Sequence, residues 1–102
     1  MILEIATLIV KPKLTNQFEE DFKVASKYIS AIDGYIEHSL QKCLEQSNKY
    51  MLQVKWEKLE NHTIGFRASK EYIKWKNLLH RYYDPFPVVE HFECVFENKI
   101  KK

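Results

Sequence analysis

The chain has 102 residues, 45% of them hydrophobic, which suits one compact domain that buries roughly 60–65% of the surface of its unfolded chain. Its 16 basic and 14 acidic residues leave a formal net charge of +2. That charge is too small to indicate a nucleic acid or a membrane as partner. A domain of this size is only marginally stable alone, so a partner subunit would help it to bury apolar surface.

Cysteine usage and the start of the chain indicate the compartment. Cys43 and Cys94 are too few for a disulfide framework and have no CxxC motif or His/Cys cluster around them, so we expect two buried thiols. Residues 1–10 are apolar, but Glu4 interrupts them, and they carry no basic leader or small-residue cleavage site. We therefore expect neither a signal peptide nor a membrane span, and a cytoplasmic location.

The first two elements are a strand and a helix. Residues 2–10 are apolar on both faces, which is typical of a buried strand. Apolar residues at spacings of three and four predict a helix over residues 16–32, with Thr15 or Asn16 as its cap and Gly34 at its end. The apolar stripe of this helix consists of Phe18, Phe22, Ala25, Ile29 and Ile32.

A hairpin, a second helix and a last strand follow. Residues 35–44 and 49–58 read as two strands joined by a polar turn. Ser69 can cap a helix that runs to about Tyr83, and the prolines after it end that helix. Residues 88–96 then form the last strand.

The predicted order of elements is β, α, β, β, α, β, without a repeat or a linker. This is the α+β, ferredoxin-like split βαβ arrangement, an antiparallel sheet with helices on one face. The other face carries too much apolar surface for a monomer, so we expect a homodimer in which two sheets pack through this open face as a dimeric α/β barrel. The domain is expected to cover residues 1–98, followed by a basic tail over residues 99–102.

Four groups of residues in the second half of the chain form a recognisable pattern. They are Trp56-Glu57, His62-Thr63 with Phe66 and Ser69, Tyr72 with Trp75, and Val89-Glu90-His91-Phe92. The pattern and the fold over residues 2–96 resemble the antibiotic biosynthesis monooxygenase family of small dimeric proteins. The resemblance implies an active cavity in each protomer, between helices and sheet. It also implies oxidation of a small aromatic or quinone-like molecule by dioxygen with no metal or flavin, so no cofactor is expected.

The haem-degrading branch of that family provides a contrast. It uses an asparagine on the first strand, and a tryptophan and a histidine on either side of the serine of the short helix. In the register of the resemblance, these positions hold Ala6, Phe66 and Lys76. Haem degradation is therefore disfavoured.

His62 is the candidate catalytic residue. It opens a short helical turn predicted over residues 59–65, where an imidazole with a pKa of about 6.5 could face a cavity mouth and act as a base. The alternative is a histidine that caps or braces the turn. His91, on the last strand, is either a pocket residue or a satisfied core or interface residue. The helix dipole accounts for His80, and His38 offers no second signal.

The candidate substrate pocket consists mainly of aromatic residues. Tryptophans of this kind are core residues or cavity walls, and the tyrosines could aim their hydroxyls at a ligand or simply bridge core and solvent. The predicted pocket residues are Trp56, Phe66, Tyr72, Trp75, Tyr83 and His91.

Several function classes have no support in the sequence. There is no GxGxxG or Walker loop, no GxSxG elbow, no HExxH pair and no short spacing of metal ligands, so no metal is expected. The leading hypothesis is a cofactor-independent monooxygenase or related oxidoreductase that acts on a small aromatic molecule. The alternative is a dimeric small-ligand-binding or stress-associated module without turnover, and a purely structural dimer is third.

Overall fold

Four strands and two helices form the framework of the domain. The structure is a computed structural model that describes residues 1–101; Lys102, the end of the predicted tail, lies outside the described residues. The strands are β1 (Ile2–Ile9), β2 (Tyr35–Lys42), β3 (Lys49–Trp56) and β4 (Val89–Glu93), and the helices are α1 (Thr15–Ile29) and α2 (Lys70–Leu79). Short helical turns lie at Pro12–Leu14, Asn61–Phe66 and His80–Tyr82, and the second of these has π geometry.

The four strands form one antiparallel sheet in the order β2-β3-β1-β4. β1 is therefore a central strand, as its apolar sequence predicts. Glu4 of β1 pairs with Val54 of β3 on one side and with His91 of β4 on the other. The strand order and the two crossover helices are those of the ferredoxin-like α+β fold, which confirms the predicted class.

The core lies between the sheet and the two helices. Side chains at even positions of β1 point toward the helices because successive residues of a strand alternate between its faces, and Ala6 and Leu8 are fully buried there. The predicted stripe of α1 is buried against them, except for Ile32, which lies beyond the helix. Trp75 and Leu79 bring α2 into the same core.

The ends of α1 differ from the prediction. Thr15 is itself the first helical residue and no side chain caps the helix, so the predicted cap at Thr15 or Asn16 is wrong. A helical turn leads directly into α1 and leaves no extended residue in the cap position. Gly34 has the expected positive φ, 85°, but in the turn before β2, where a Cβ would lie 2.1 Å from the Asn61 side chain.

The start of α2 is as predicted, because the Ser69 hydroxyl accepts a hydrogen bond from the backbone N–H of Tyr72 at 3.0 Å. The helix itself ends earlier than predicted, at Leu79, and a single turn of 3-10 helix continues to Tyr82.

The last strand is shorter than predicted, since it stops at Glu93 instead of residue 96. Glu93 pairs with Ile2, the first residue of β1, so no strand remains for the following residues to pair with. Cys94 is exposed as a result, and Cys43, just after β2, is half-buried. The expectation of two buried thiols is wrong.

The sheet face away from the helices is partly apolar. Leu3, Ile5 and Ile9 of β1 are half-buried on this open face, next to Met51 and Phe92, which are 39% and 50% exposed. No helix within residues 1–101 is both long and apolar enough to cross a membrane.

Candidate active site

A cavity of about 410 Å³ lies between the helices and the inner face of the sheet. β1 supplies its floor, and the π-helical turn, α2 and the segment before β4 supply its walls. Small-molecule sites have volumes of about 300–1,000 Å³. The cavity is therefore large enough for a ligand of two or three fused rings.

The middle of the cavity is apolar and largely aromatic. The Phe66 ring stands edge-on to the rings of Tyr72 and Trp75, with centroid distances of 5.2 and 5.7 Å. Rings at these distances and angles attract one another, which fixes the shape of the wall. The small side chain of Ala6 leaves open space in front of them. The other apolar lining residues are Leu8, Leu52, Phe86, Pro87 and Val89.

One end of the cavity holds a buried carboxylate. Glu4 is 4% exposed, and its Oε1 accepts a hydrogen bond from the indole N–H of Trp56 at 3.0 Å. Nε2 of His62 lies 3.4 Å from the same oxygen. That distance exceeds the usual range of about 2.7–3.2 Å, so a shift of a few tenths of an ångström would close it to a hydrogen bond. The imidazole also stacks on the indole of Trp56, with centroids 5.5 Å apart.

A second histidine extends this cluster toward the edge of the sheet. Nδ1 of His62 lies 2.8 Å from Nε2 of His91, a hydrogen-bond distance. His91 is half-buried on β4, the edge strand that pairs with β1 beside Glu4. Glu4, His62 and His91 therefore form a continuous polar chain from the cavity to the rim of the sheet, which we call the Glu4 chain.

Burial sets the charges of the Glu4 chain. It raises the pKa of Glu4 to about 6, although the indole N–H and the guanidinium of Arg67 oppose the rise. It lowers the pKa of His62 to about 3, with further lowering by Arg67 and His91. Burial and Arg67 also lower the pKa of His91. Near neutral pH the carboxyl is therefore ionised and both imidazoles are neutral.

The opposite end of the cavity carries two phenol groups and an imidazole. Tyr83 forms an isolated bridge with Val10, beyond the end of β1, while Tyr72 and Tyr83 both flank His80, with ring centroids 6.0 and 5.8 Å away. Burial, together with the neighbouring Tyr72, raises the pKa of Tyr83, so its phenol stays protonated. Burial also lowers the pKa of His80. This end therefore offers neutral hydrogen-bonding groups.

The structure brings most of the predicted site residues to one cavity. His62, Phe66, Tyr72, Trp75 and Tyr83 all line it. Two predicted pocket residues lie behind the wall: Trp56 is fully buried and contacts the cluster through Glu4, and His91 reaches the cavity only through His62.

Three further polar residues line the cavity and were not predicted as site residues: Glu4, Arg67 and His80. Glu4 had a visible signal, a single charge within an otherwise apolar strand, and such a charge is rarely buried without a partner. Arg67 and His80 had no such signal, because other polar residues lie close to each of them in the sequence, as is typical of a protein surface. Within residues 1–101, no group of three or more His, Cys, Asp or Glu side chains is arranged to hold a metal ion.

Comparison with known proteins relates the sequence to a family. The sequence model described as "Antibiotic biosynthesis monooxygenase" matches residues 1–78. The uncharacterised protein YczJ of Bacillus subtilis (strain 168) is 55% identical over 95 residues, which cover 93% of this chain and 100% of that protein.

Solved structures show the same fold. One of them is a protein from Bordetella bronchiseptica that is described as an antibiotic biosynthesis monooxygenase. It superimposes with a TM-score of 0.88 and 29% identity, over 93% of this chain and 97% of that chain. A mutant form of SnoaB, a cofactor-independent oxygenase from Streptomyces nogalater, has a TM-score of 0.79 over 94% of each chain, and at 14% identity this likeness concerns the fold alone. Because the family model matches more than half of its length, the chain belongs to the antibiotic biosynthesis monooxygenase family.

Proposed function

We propose that this protein is a cofactor-independent monooxygenase or related oxidoreductase that acts on a small aromatic or quinone-like molecule in the cavity. The observation that carries the proposal is the cavity itself, with an aromatic middle between two polar ends. Glu4 and Leu8 lie four residues apart on its floor, about 13 Å along the strand. A flat ligand with an oxygen at one or both ends matches that length and chemistry.

The chemistry of such a reaction needs few protein groups. For an anthrone, a base removes a proton, and the resulting anion supplies electrons to dioxygen. The methylene group becomes a carbonyl with one oxygen atom, and its two hydrogens leave with the other oxygen atom as water. The protein must accept the proton, stabilise the anion and exclude bulk water. His62 belongs to the group that handles the proton, and Arg67 supplies a positive charge at the same end.

Oxygen uptake tests this proposal. The purified protein is incubated with a panel of hydroquinones and anthrones in an oxygen electrode, with rates corrected for autoxidation. We expect uptake with at least one probe, and a lower rate in His62→Ala. Tyr72→Phe and Tyr83→Phe remove hydroxyls from the cavity and should raise KM. Tyr28→Phe is the matched control, since Tyr28 packs on the core outside the cavity. Autoxidation rates alone across the whole panel would exclude the proposal.

A second candidate function is binding without turnover. The observation in its favour is that His62, the predicted base, is 3% exposed, and burial lowers its pKa to about 3. An imidazole with so low a pKa binds a proton too weakly to be an effective base near pH 7. Native mass spectrometry of the purified protein distinguishes the two functions, because a retained aromatic ligand that dioxygen leaves unchanged would favour a binding module.

We also propose that the protein forms a homodimer through its open sheet face. The apolar residues Leu3, Ile5, Ile9, Met51 and Phe92 support this, because apolar residues grouped on one face of a small domain are stabilised by burial against a second copy. Light scattering at micromolar concentration should give twice the mass of the chain. Ile5→Lys should shift the mass toward the monomer, whereas a monomeric parent protein would overturn the proposal.

A further inference from the structure

The Glu4 chain has a geometry that the proposed function does not explain by itself. Removing a proton from a ligand that fills the cavity requires an acceptor that touches the ligand and a route by which that acceptor gives the proton to solvent. We infer that the Glu4 carboxylate is the proton acceptor for the bound ligand, and that His62 and His91 carry the proton between Glu4 and solvent. This inference rests on the proposed function for the ligand class. It makes Glu4 the catalytic residue and the two histidines positioning and relay residues.

One oxygen of the Glu4 carboxylate contacts the protein, and the other is available to the ligand. Both protein contacts, from the indole of Trp56 and the imidazole of His62, engage Oε1. Oε2 is thereby left for the cavity, which Glu4 lines. A ligand hydroxyl or acidic C–H can therefore reach Oε2 without displacing a protein group, whereas His62 has both ring nitrogens directed at other side chains.

The relay follows from the donors and acceptors along the Glu4 chain. If Nε2 of His62 carries the hydrogen and points at the carboxylate, its Nδ1 must be an acceptor. Nε2 of His91 then has to donate to that Nδ1 across 2.8 Å. While the carboxylate is ionised, every N–H in the Glu4 chain points toward Glu4. After Oε2 has taken the ligand proton, the proton leaves when the carboxyl rotates to turn its O–H toward His62 and both imidazoles hold their hydrogens on Nδ1. The carboxyl proton then passes to Nε2 of His62, the Nδ1 hydrogen of His62 to Nε2 of His91, and the Nδ1 hydrogen of His91 to water, which restores the ionised carboxylate and the starting tautomers.

The electrostatics of the cluster suit this role. The pKa of Glu4, raised by burial to about 6, lies near working pH, where a general base is most effective. The groups that face it are the Trp56 indole from β3, His91 from β4, and His62 and Arg67 from the π-helical turn and its end. Arg67 supplies a fixed positive charge close by. After proton transfer the carboxyl is neutral, and that charge is left for the ligand anion.

A purely structural role for Glu4 would require only a hydrogen-bond acceptor. Glu4→Gln separates the two roles, because the amide oxygen can still accept from the indole while the side chain can no longer take a proton. Glu57→Gln is the matched control, since Glu57 is an exposed carboxylate next to Trp56 in the sequence. Circular dichroism and urea unfolding would establish that both variants fold.

The first experiment observes proton acceptance without turnover. Dihydroxyanthrone is bound to the protein under nitrogen at pH 7, and its absorption spectrum distinguishes the neutral probe from its anion. We expect the anion in complexes with the parent protein and with Glu57→Gln, and the neutral probe with Glu4→Gln. Binding of the neutral form alone by the parent protein, or of the anion by Glu4→Gln, would overturn the assignment.

The second experiment uses the rate of oxygen uptake with the same probe. Glu4→Gln should lower kcat by at least about 100-fold with little change in KM, and should abolish the fall in rate below about pH 6. His91→Gln should slow the reaction in dilute buffer and recover when imidazole is added, while His38→Gln, which alters a histidine outside the cavity, should do neither. An unchanged kcat in Glu4→Gln refutes the role of Glu4. A His91→Gln rate that is normal, or that imidazole does not restore, refutes the relay.

The third experiment needs no ligand. Nitrogen-15 spectra of the histidine rings should show His62 with a hydrogen on Nε2, and a change in its shifts centred near pH 6 that is absent in Glu4→Gln. The opposite tautomer above about pH 6, or no change near pH 6 in the parent protein, overturns the relay. If no probe supports oxygen uptake, the proposed function fails, and the anaerobic spectrum and these ring shifts still decide the fate of the Glu4 chain.

Discussion

Glu4 makes the stability of this protein depend on pH in a direction that is opposite to that of most carboxylates. Its pKa in the folded protein, about 6, lies above the unfolded value of 4.5, because burial disfavours the charged form. The folded state therefore holds this proton more tightly than the unfolded state does. The contribution of Glu4 to stability is fully present below pH 4.5 and is lost as the pH rises through 6. Glu4→Gln removes this dependence, since the amide stays neutral throughout.

The size of the effect follows from the two pKa values. The interval from 4.5 to about 6 corresponds to about 2 kcal/mol at about 1.36 kcal/mol per pH unit. About 1.5 kcal/mol of it is expressed between pH 4.5 and pH 8, because the unfolded state is already half ionised at the lower value. Burial of His62 produces the reverse slope, since a lowered imidazole pKa costs stability as the pH falls below about 6.5. This pH dependence from His62 is the same in the parent protein and in Glu4→Gln, so it cancels when their free energies of unfolding are subtracted.

Urea unfolding of the parent protein and Glu4→Gln, measured from pH 4.5 to pH 8, tests this reasoning. The free energy of unfolding of Glu4→Gln, relative to the parent, should rise by about 1.5 kcal/mol across the series. The substitution itself can change the free energy of unfolding by the same amount at every pH. The test is therefore how the difference between the two proteins changes with pH, and not its size at one pH. Glu57→Gln, which removes an exposed carboxylate outside the cavity, is the control for the loss of one carboxylate. A flat or falling difference for Glu4→Gln would show that Glu4 is not held in a charge-disfavouring environment.

Three further substitutions test local features of the fold by thermal or urea unfolding. Gly34→Ala should destabilise the protein by at least about 1–2 kcal/mol, because φ is positive there and the new Cβ would collide with Asn61, whereas Gly65→Ala should be nearly neutral, with no contact closer than 3.7 Å. Ser69→Ala should cost about 1 kcal/mol through loss of the N-cap of α2, and Ser69→Thr should restore most of it. Tyr82→Phe should cost about 1 kcal/mol, because its buried hydroxyl donates to the carboxylate of Asp21 in α1 at 2.5 Å. An unchanged unfolding midpoint in Gly34→Ala, Ser69→Ala or Tyr82→Phe would contradict the contact concerned.

The elements of this fold were predictable from their own sequences. Side-chain periodicity located β1 and the stripe of α1, the cap residue Ser69 located the start of α2, and a polar turn located the hairpin of β2 and β3. With the last strand, these elements give the ferredoxin-like order. Element ends were less predictable because they depend on partners in the sheet. β4 stops at Glu93 only because it is paired with the first residue of β1, and nothing in residues 94–96 signals that the partner strand has run out.

The sequence predicted the aromatic lining of the cavity but not the contacts of the Glu4 chain. Aromatic residues of α2 and the π-helical turn were identified by helical phase and family resemblance, and they line it. Register across strands was what the sequence lacked. The pairing of Glu4 with His91 joins residues 87 positions apart, and only that pairing places an imidazole at the edge of the sheet behind His62.

Glu4 shows why a charged residue within an apolar strand is stronger evidence of a functional site than a group of aromatic residues. An apolar residue at this position would add hydrophobic stabilisation of about 2 kcal/mol, whereas the buried carboxylate costs a similar amount near neutral pH. A hydrogen-bond acceptor for Trp56 could be supplied by a neutral amide without that cost. A side chain that is unfavourable for folding and borders a cavity beside an arginine and two histidines has the features expected of a functional group. The apolar residues of β1 therefore indicate the fold, and Glu4, the charged residue within that strand, indicates the site.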